Sequence, residues 1–266
     1  MTTRKGILTA GLAALVLAGT AGCGGGEAAP RSQSSEASMT QPSADRTAPS
    51  PGAGAPDIDA SVVRGMTEYD YEPAPSLKAL ASQEPSVTVG EVVGWSDGRS
   101  VVQSDGSGYV DTSYFAVLEV KVSESYRAVN GQGDDGRIYV EVGRGGEIRI
   151  DGEAPEGTEP VYSTIAELNA AVPAGTRVIV VGDEAPTATE LESQTSDGTV
   201  EKAPAGHPDG VSLLWPNVQG LIFEEQTGAF ASGVADDEDQ WGWLAPNVPV
   251  RDGFDQLLAE LDTLGK

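Results

Sequence analysis

Val178-Ile179-Val180-Val181 is the most restrictive run in the chain. It is four β-branched residues long and apolar on both faces of a strand. A strand without a polar face has to be covered on both sides, so it is predicted to lie in the middle of a sheet. Other strand-length runs surround it. Val87, Val89, Val92 and Val93 form a β-branched run around Gly90 and Gly94. Tyr114 to Val122 alternates: Leu118, Val120 and Val122 keep one face apolar, while Phe115 and Val117 share the other with Glu119 and Lys121. Ile138 to Val142 follows a Gly-Asp-Asp-Gly turn, and Val211–Trp215 and Gly220–Glu224 read as two weaker strands.

Helices are few. Ser76 is a suitable cap for a short helix carrying Leu77 and Leu80. Residues 163–171 put Ile165, Leu168 and Val172 on one face, and Pro173 ends the run. The last segment has the clearest helical spacing. Asp252 is its expected cap, and Phe254, Leu257, Leu258, Leu261 and Leu264 make its apolar stripe. That stripe is expected to dock on the chain's own β-structure and close an open end; a partner-binding helix is the sharper alternative. No repeat of about 20–50 residues is visible. The fold expected over residues 67–266 is a single, mainly β domain with short helices. It is a small OB-like barrel or sandwich with the C-terminal amphipathic helix packed on it.

The first 66 residues read differently. Arg4 and Lys5 precede the apolar run Ile7–Ala18, about twelve residues long and followed by small residues. A bilayer-spanning helix needs roughly 20. The pattern is that of a signal peptide over residues 1–22. Thr20-Ala21-Gly22-Cys23 then resembles the lipobox of bacterial lipoproteins, although Thr20 stands where that family usually has Leu. The resemblance implies cleavage between Gly22 and Cys23 and a diacylglycerol thioether on Cys23. Cys23 is the only cysteine, so it has no partner for an intramolecular disulfide. Residues 23–66 are rich in Gly, Ala, Ser and Pro and offer too few large apolar side chains to offset the entropy of ordering. They read as a disordered tether. The expected location is the outer face of the cytoplasmic membrane, with the lipid on Cys23 as the membrane contact and a protein or cell-wall partner possible.

The chain carries 41 acidic and 16 basic residues, a net charge of −25; loss of residues 1–22 with Arg4 and Lys5 makes it −27. Such a body repels phosphates, which argues against nucleic acid as a partner.

Residues 76–182 also resemble a layout common in exported proteins of high-GC Gram-positive bacteria. A Ser-Leu helix, a Val-rich strand with an internal Gly and a variable hairpin come first. Phe115-Ala116-Val117-Leu118-Glu119-Val120, a Val-Glu-Val strand at 140–142 and Pro173-Ala174-Gly175-Thr176-Arg177 before the apolar strand follow. The layout is similar to OB-like barrels of the netrin-module type. The disulfides and N-terminal Cys that serve protease inhibition in that type are absent here, so inhibition does not carry over. The bacterial group implies no assigned function.

Catalytic groups are scarce. His207, the only histidine, lies in the loop Pro204–Gly210, and a Ser–His–Asp triad would depend on it. Asp105-Gly106-Ser107-Gly108 lacks the first Gly of a nucleophile elbow. Zinc would need several His or Cys ligands. Asp134-Asp135 and Asp236-Asp237-Glu238-Asp239 offer oxygens, but not on the alternate residues of a calcium loop, and the latter reads as a solvated loop; Asp236, Asp237 and Asp239 are the weak cation candidates. Gly143-Arg144-Gly145-Gly146 reads as a turn. Trp241 and Trp243, with Trp215 and Trp95, are the candidate ligand platform, weighed against burial in a core. No cofactor is indicated. The reading is a non-enzymatic binding or accessory lipoprotein. The alternatives are a carboxylate-dependent hydrolase acting on cell-wall or carbohydrate material, and a cation-responsive surface protein.

Overall fold

The structure, a computed structural model, describes residues 57–65, 71–127, 136–156, 161–194, 198–200, 210–226, 228–234, 242–244 and 253–264. Gly22, Cys23, Asp134, Asp135, His207, Asp236, Asp237, Asp239, Trp241 and Asp252 lie outside them, as does the stretch up to residue 56 that reads as a tether.

Eight strands and four short helices make up the described body. The strands are β1 (Ser86–Ser104), β2 (Tyr109–Arg127), β3 (Arg137–Ile150), β4 (Val161–Tyr162), β5 (Arg177–Glu184), β6 (Gly198–Val200), β7 (Leu214–Glu224) and β8 (Phe230–Ser232). The helices are α1 (Leu77–Gln83), α2 (Ile165–Ala171), α3 (Ala188–Gln194) and α4 (Gly253–Leu261). Strands β1, β2, β3, β7 and β5 pair in that order and return to β1, closing a five-stranded barrel. All neighbours are antiparallel except β3 and β7, which run parallel and share one residue pair, Val140 with Leu214. This is an OB-like barrel, with α2 between the third and fourth barrel strands.

β1 can serve two neighbours because it bends. Its register with β2 shifts at four places between Val87 and Ser100, and bulges of this kind sharpen the twist of a strand. Gly90 marks one bend: a Cβ there would come 2.4 Å from the Lys121 carbonyl oxygen. As a result β1 pairs with β5 through Ser86–Glu91 and with β6 through Val101–Gln103.

Inside the barrel the apolar parity of each strand converges. Val92, Trp95, Leu118, Val120, Ile138, Val140, Val142, Val178, Val180, Leu221 and Phe223 form one buried cluster. Leu168 and Val172 from the α2 region join it, as does Val63. The Trp95 indole donates to the Val172 carbonyl at 3.2 Å, and Asn169 Oδ1 accepts from the Trp95 backbone N–H at 3.1 Å. α2 starts at a reciprocal capping box, Thr164 with Glu167, which satisfies two otherwise orphan N–H groups.

The outer wall has its own core. Val87, Val89, Ile179, Val181 and Ile222 point away from the barrel and pack with Leu77, Leu80 and Ala81 of α1 and Phe254, Leu257 and Leu261 of α4. Val178–Val181 is therefore covered on both faces, as its sequence predicts. α4 docks beside α1 on this wall rather than on a barrel end. The reason is that the stripe of α4 meets the outward parity of β5 and β7, whereas Val63 and the α2 residues pack with the interior.

Two expectations change on the strands. Val211–Trp215 and Gly220–Glu224 are not separate: one strand, β7, runs from Leu214 to Glu224, with a register shift opposite Val180–Gly182 that accommodates Pro216. Gly143–Gly146 is not a turn but the middle of β3. The glycines are there because other backbone crosses closely. Gly145 has φ +108°, and a Cβ on it would meet the Val161 carbonyl oxygen of β4 at 2.0 Å. Residues 57–65 pack with the body: Asp59 caps a 3-10 turn over Ala60–Val62, and Val63 is fully buried.

Candidate functional site

On β2 and β3 the outward parity carries Phe115, Val117, Tyr139 and Glu141, and all four are buried. The link between β5 and β7 covers them. Ala185 and Leu213 pack on Val117 and Tyr139, while Leu191 and Val200 pack on Phe115 and Val101. An ion pair lies under this cover. Arg99 Nη2 donates to Glu141 Oε2 at 2.5 Å, and Arg99 Nη1 donates to the Pro186 carbonyl at 2.8 Å. The two side chains are 5% and 0% exposed.

The pair is incompletely satisfied. A side-on guanidinium–carboxylate fork would make two parallel bonds; here only one forms. Glu141 Oε1 and Arg99 Nε are both buried without a hydrogen-bond partner. An unmet polar atom of this kind costs about 1–3 kcal/mol. Burial pushes the Glu141 carboxyl above its ordinary value of 4.5, and the hydrogen bond and charge of Arg99 only partly counter that.

Each partner of the pair borders a cavity. Glu141 contributes to the wall of one of about 240 Å³, which lies where β3 and β7 diverge beyond their single pairing. Val63, Val142, Val218 and Val234 make its apolar walls, and Phe115 and Trp215 also line it. Trp215 is 39% exposed and its ring meets Phe115 edge-on, with ring centroids 6.4 Å apart. Arg64 also borders the cavity and donates from Nε to the Ser232 carbonyl at 3.0 Å. Arg99 borders a second, more open cavity of about 460 Å³ beneath the β5–β7 link. The ion pair is thus shared between the two.

The seam cavity can bind, because it combines apolar walls with a partly exposed tryptophan. Glu141 is the one carboxylate among its described lining residues. Among the described residues no three His, Cys, Asp or Glu side chains come together to hold a metal.

The tryptophans singled out in the sequence separate. Trp95 is in the barrel interior. Trp215 is at the seam cavity. Trp243 is half-buried, 6.2 Å from the Phe230 ring and within the apolar cluster that holds α4. Asp105-Gly106-Ser107 forms a local turn, with Asp105 Oδ1 accepting from the Ser107 N–H and hydroxyl at 2.8 and 2.6 Å.

Arg99 and Glu141 escaped the sequence reading. Glu141 alternates with Val140 and Val142, as a solvent-facing strand residue would. Arg99 follows Gly98 within β1, in a part of the strand that the sequence reading did not cover. Only the long, apolar-dotted link after Glu184 hints that the outward face of β3 is covered.

Set against protein-family models, curated proteins and solved structures, the chain matches none of them.

Proposed function

We propose that this protein is a lipid-anchored extracytoplasmic binding or accessory protein. Its first 22 residues export it, Cys23 carries the lipid, and the OB-like barrel presents a ligand site. The observation that carries the anchor is Thr20-Ala21-Gly22-Cys23 directly after an export-type apolar run, with Cys23 the only cysteine in the chain. One acyl chain binds a membrane only marginally, whereas two or more on one residue hold it stably. The seam cavity supports binding over catalysis. Glycoside hydrolysis uses two carboxyls roughly 5–9.5 Å apart across a cleft, and the described cavity lining supplies Glu141 alone.

The test is expression of the full chain in a Gram-positive host with labelled palmitate. The original chain is expected in the membrane fraction, labelled and at mature size. Cys23→Ser is expected to be unlabelled and either released or left at precursor size. A Cys23→Ser chain that stays wholly in the membrane fraction at mature size contradicts the anchor.

A further inference from the structure

We propose that the uncovered end of the β2–β3 wall docks an extended, basic polypeptide segment with alternating apolar side chains. This goes beyond the seam cavity and depends neither on it nor on the anchor. The argument starts from register. On β2 and β3, Ser113 stands opposite Gly146, Asp111 opposite Ile148 and Tyr109 opposite Ile150, while Val161 of β4 stands opposite Gly146. Directly opposite residues share a face, as do alternate residues of one strand. Val161, Ile148, Ile150, Tyr109 and Asp111 therefore lie on one face. Val101 of β1 stands opposite Ser113 and shares that face, where it packs with Leu191 of α3 and is buried. The cover stops short of β3 and β4: Ile148, Ile150 and Val161 are 40%, 49% and 75% exposed. An apolar row left in water beside a covered one marks an interaction surface.

Charge selects the partner. Asp111 lies in the row, Asp151 and Glu153 follow it, and among the described residues none of the three has an ion-pair partner. The arginines of this stretch of β3 are already engaged, Arg149 with Glu147 and Arg144 with Asp97. Each copy of the chain carries a net charge of −25, so a second copy is repelled. The phosphates of a nucleic acid or an anionic lipid surface are repelled as well. A basic polypeptide is attracted. Extended, it repeats its side chains on one side about every 6.5 Å, the spacing of Ile148 and Ile150, so apolar side chains meet the row while basic ones reach the acids around it.

The experiment is fluorescence anisotropy at about 0.15 M salt, where charge attraction is screened beyond roughly 8 Å. It uses the chain from residue 23 onward with Cys23→Ser, which keeps every described residue. The probes are labelled octapeptides of alternating Lys-Val, Lys-Ser and Glu-Val. Lys-Val is expected to bind about tenfold more tightly than Lys-Ser, through apolar surface that only the former buries, and Glu-Val is expected not to bind. The variant Ile148→Thr, Ile150→Thr, Val161→Thr keeps β-branched residues suited to strands and is expected to bind Lys-Val no better than Lys-Ser. The variant Asp111→Asn, Asp151→Asn, Glu153→Gln is expected to weaken both lysine peptides by about tenfold, the sum of three exposed attractions. Equal binding of Lys-Val and Lys-Ser by the original chain, or no binding at all, overturns the proposal. A Lys-Val preference that survives the threonine variant overturns it by placing the contact elsewhere. Glu-Val binding as tight as Lys-Val, or lysine-peptide binding unchanged by the acid substitutions, overturns the basic assignment. A dimer in sedimentation that the threonine variant lacks gives the face to a second copy and overturns it too. All of these outcomes leave the anchor and the seam cavity standing.

Discussion

Two walls of the same barrel are buried from outside by quite different means. Over β1, β5 and β7 the cover is helical and the contact mainly apolar, with Val87, Ile179, Val181 and Ile222 under Leu77, Phe254, Leu257 and Leu261. Over β2 and β3 the cover is an irregular link, and the buried surface includes Arg99 and Glu141 beside two cavities. The first wall follows the rule that apolar surface is removed from water and voids are few. The second departs from it twice, by burying an ion pair with unmet atoms and by leaving space. Departures of that kind concentrate where a protein does something other than hold itself together. The helix-covered wall is accordingly read as packing and the link-covered wall as the site.

The comparison can be broken at either wall. The largest effect is expected from Glu141→Ala. It leaves the Arg99 charge buried without its partner, and breaking a buried pair in this way costs about 3–5 kcal/mol. Urea unfolding followed by circular dichroism measures it. A loss below about 1 kcal/mol would mean that Arg99 reaches water on its own and that the second wall is not closed. On the helix-covered wall, Leu257→Ala is expected to cost about 2–4 kcal/mol through lost burial and an unfilled cavity. It should leave ligand binding at the seam unchanged. A change in binding without a change in stability would show that the two walls are coupled.

The smallest effect is a slope with pH. The Glu141 carboxyl is raised above 4.5 in the folded chain, mainly by burial. The folded state therefore holds this proton more tightly than the unfolded state does. Its contribution to stability is fully present below pH 4.5 and is lost as pH rises through the folded value. Other carboxyls shift the opposite way, including Glu167 and Glu190 through their Thr caps and Glu147 through Arg149 and Tyr114. They are common to every variant and cancel in a difference. Stability of the original chain minus that of the Arg99→Met, Glu141→Met variant should fall as pH rises above 4.5. A flat difference would show that Arg99 holds the carboxyl at its ordinary value.

The helix-covered wall was largely legible in the sequence, and the link-covered wall was not. The four apolar residues Val178–Val181 announce cover on both faces, Ser76 and Pro173 bound their helices, and the α4 stripe points to a docked helix. Each of these signals is local, set by a 2- or 3.6-residue period. What misled was also local. Gly143–Gly146 looks like a turn because the close crossing of β4, which requires the glycines, is remote in sequence. Pro216 appears to split β7, yet it is tolerated at a shift in pairing. The Arg99–Glu141 pair joins residues 42 positions apart. Neither residue differs locally from a solvent-facing strand residue until the β5–β7 link is folded over it. Residues such as Trp215 and Trp243 look alike in the sequence. The strand end at the seam and the α4 cluster give them different surroundings.

The central claim is that the buried pair is kept for the site rather than for stability, and the Arg99→Met, Glu141→Met variant tests it most directly by equilibrium urea unfolding at pH 7. Exchange of a buried ion pair for apolar residues of similar size is often neutral or stabilising by about 1–4 kcal/mol. The account predicts a variant at least as stable as the original chain. A variant destabilised by about 3 kcal/mol or more would contradict it and make the pair a structural tie between β1 and β3.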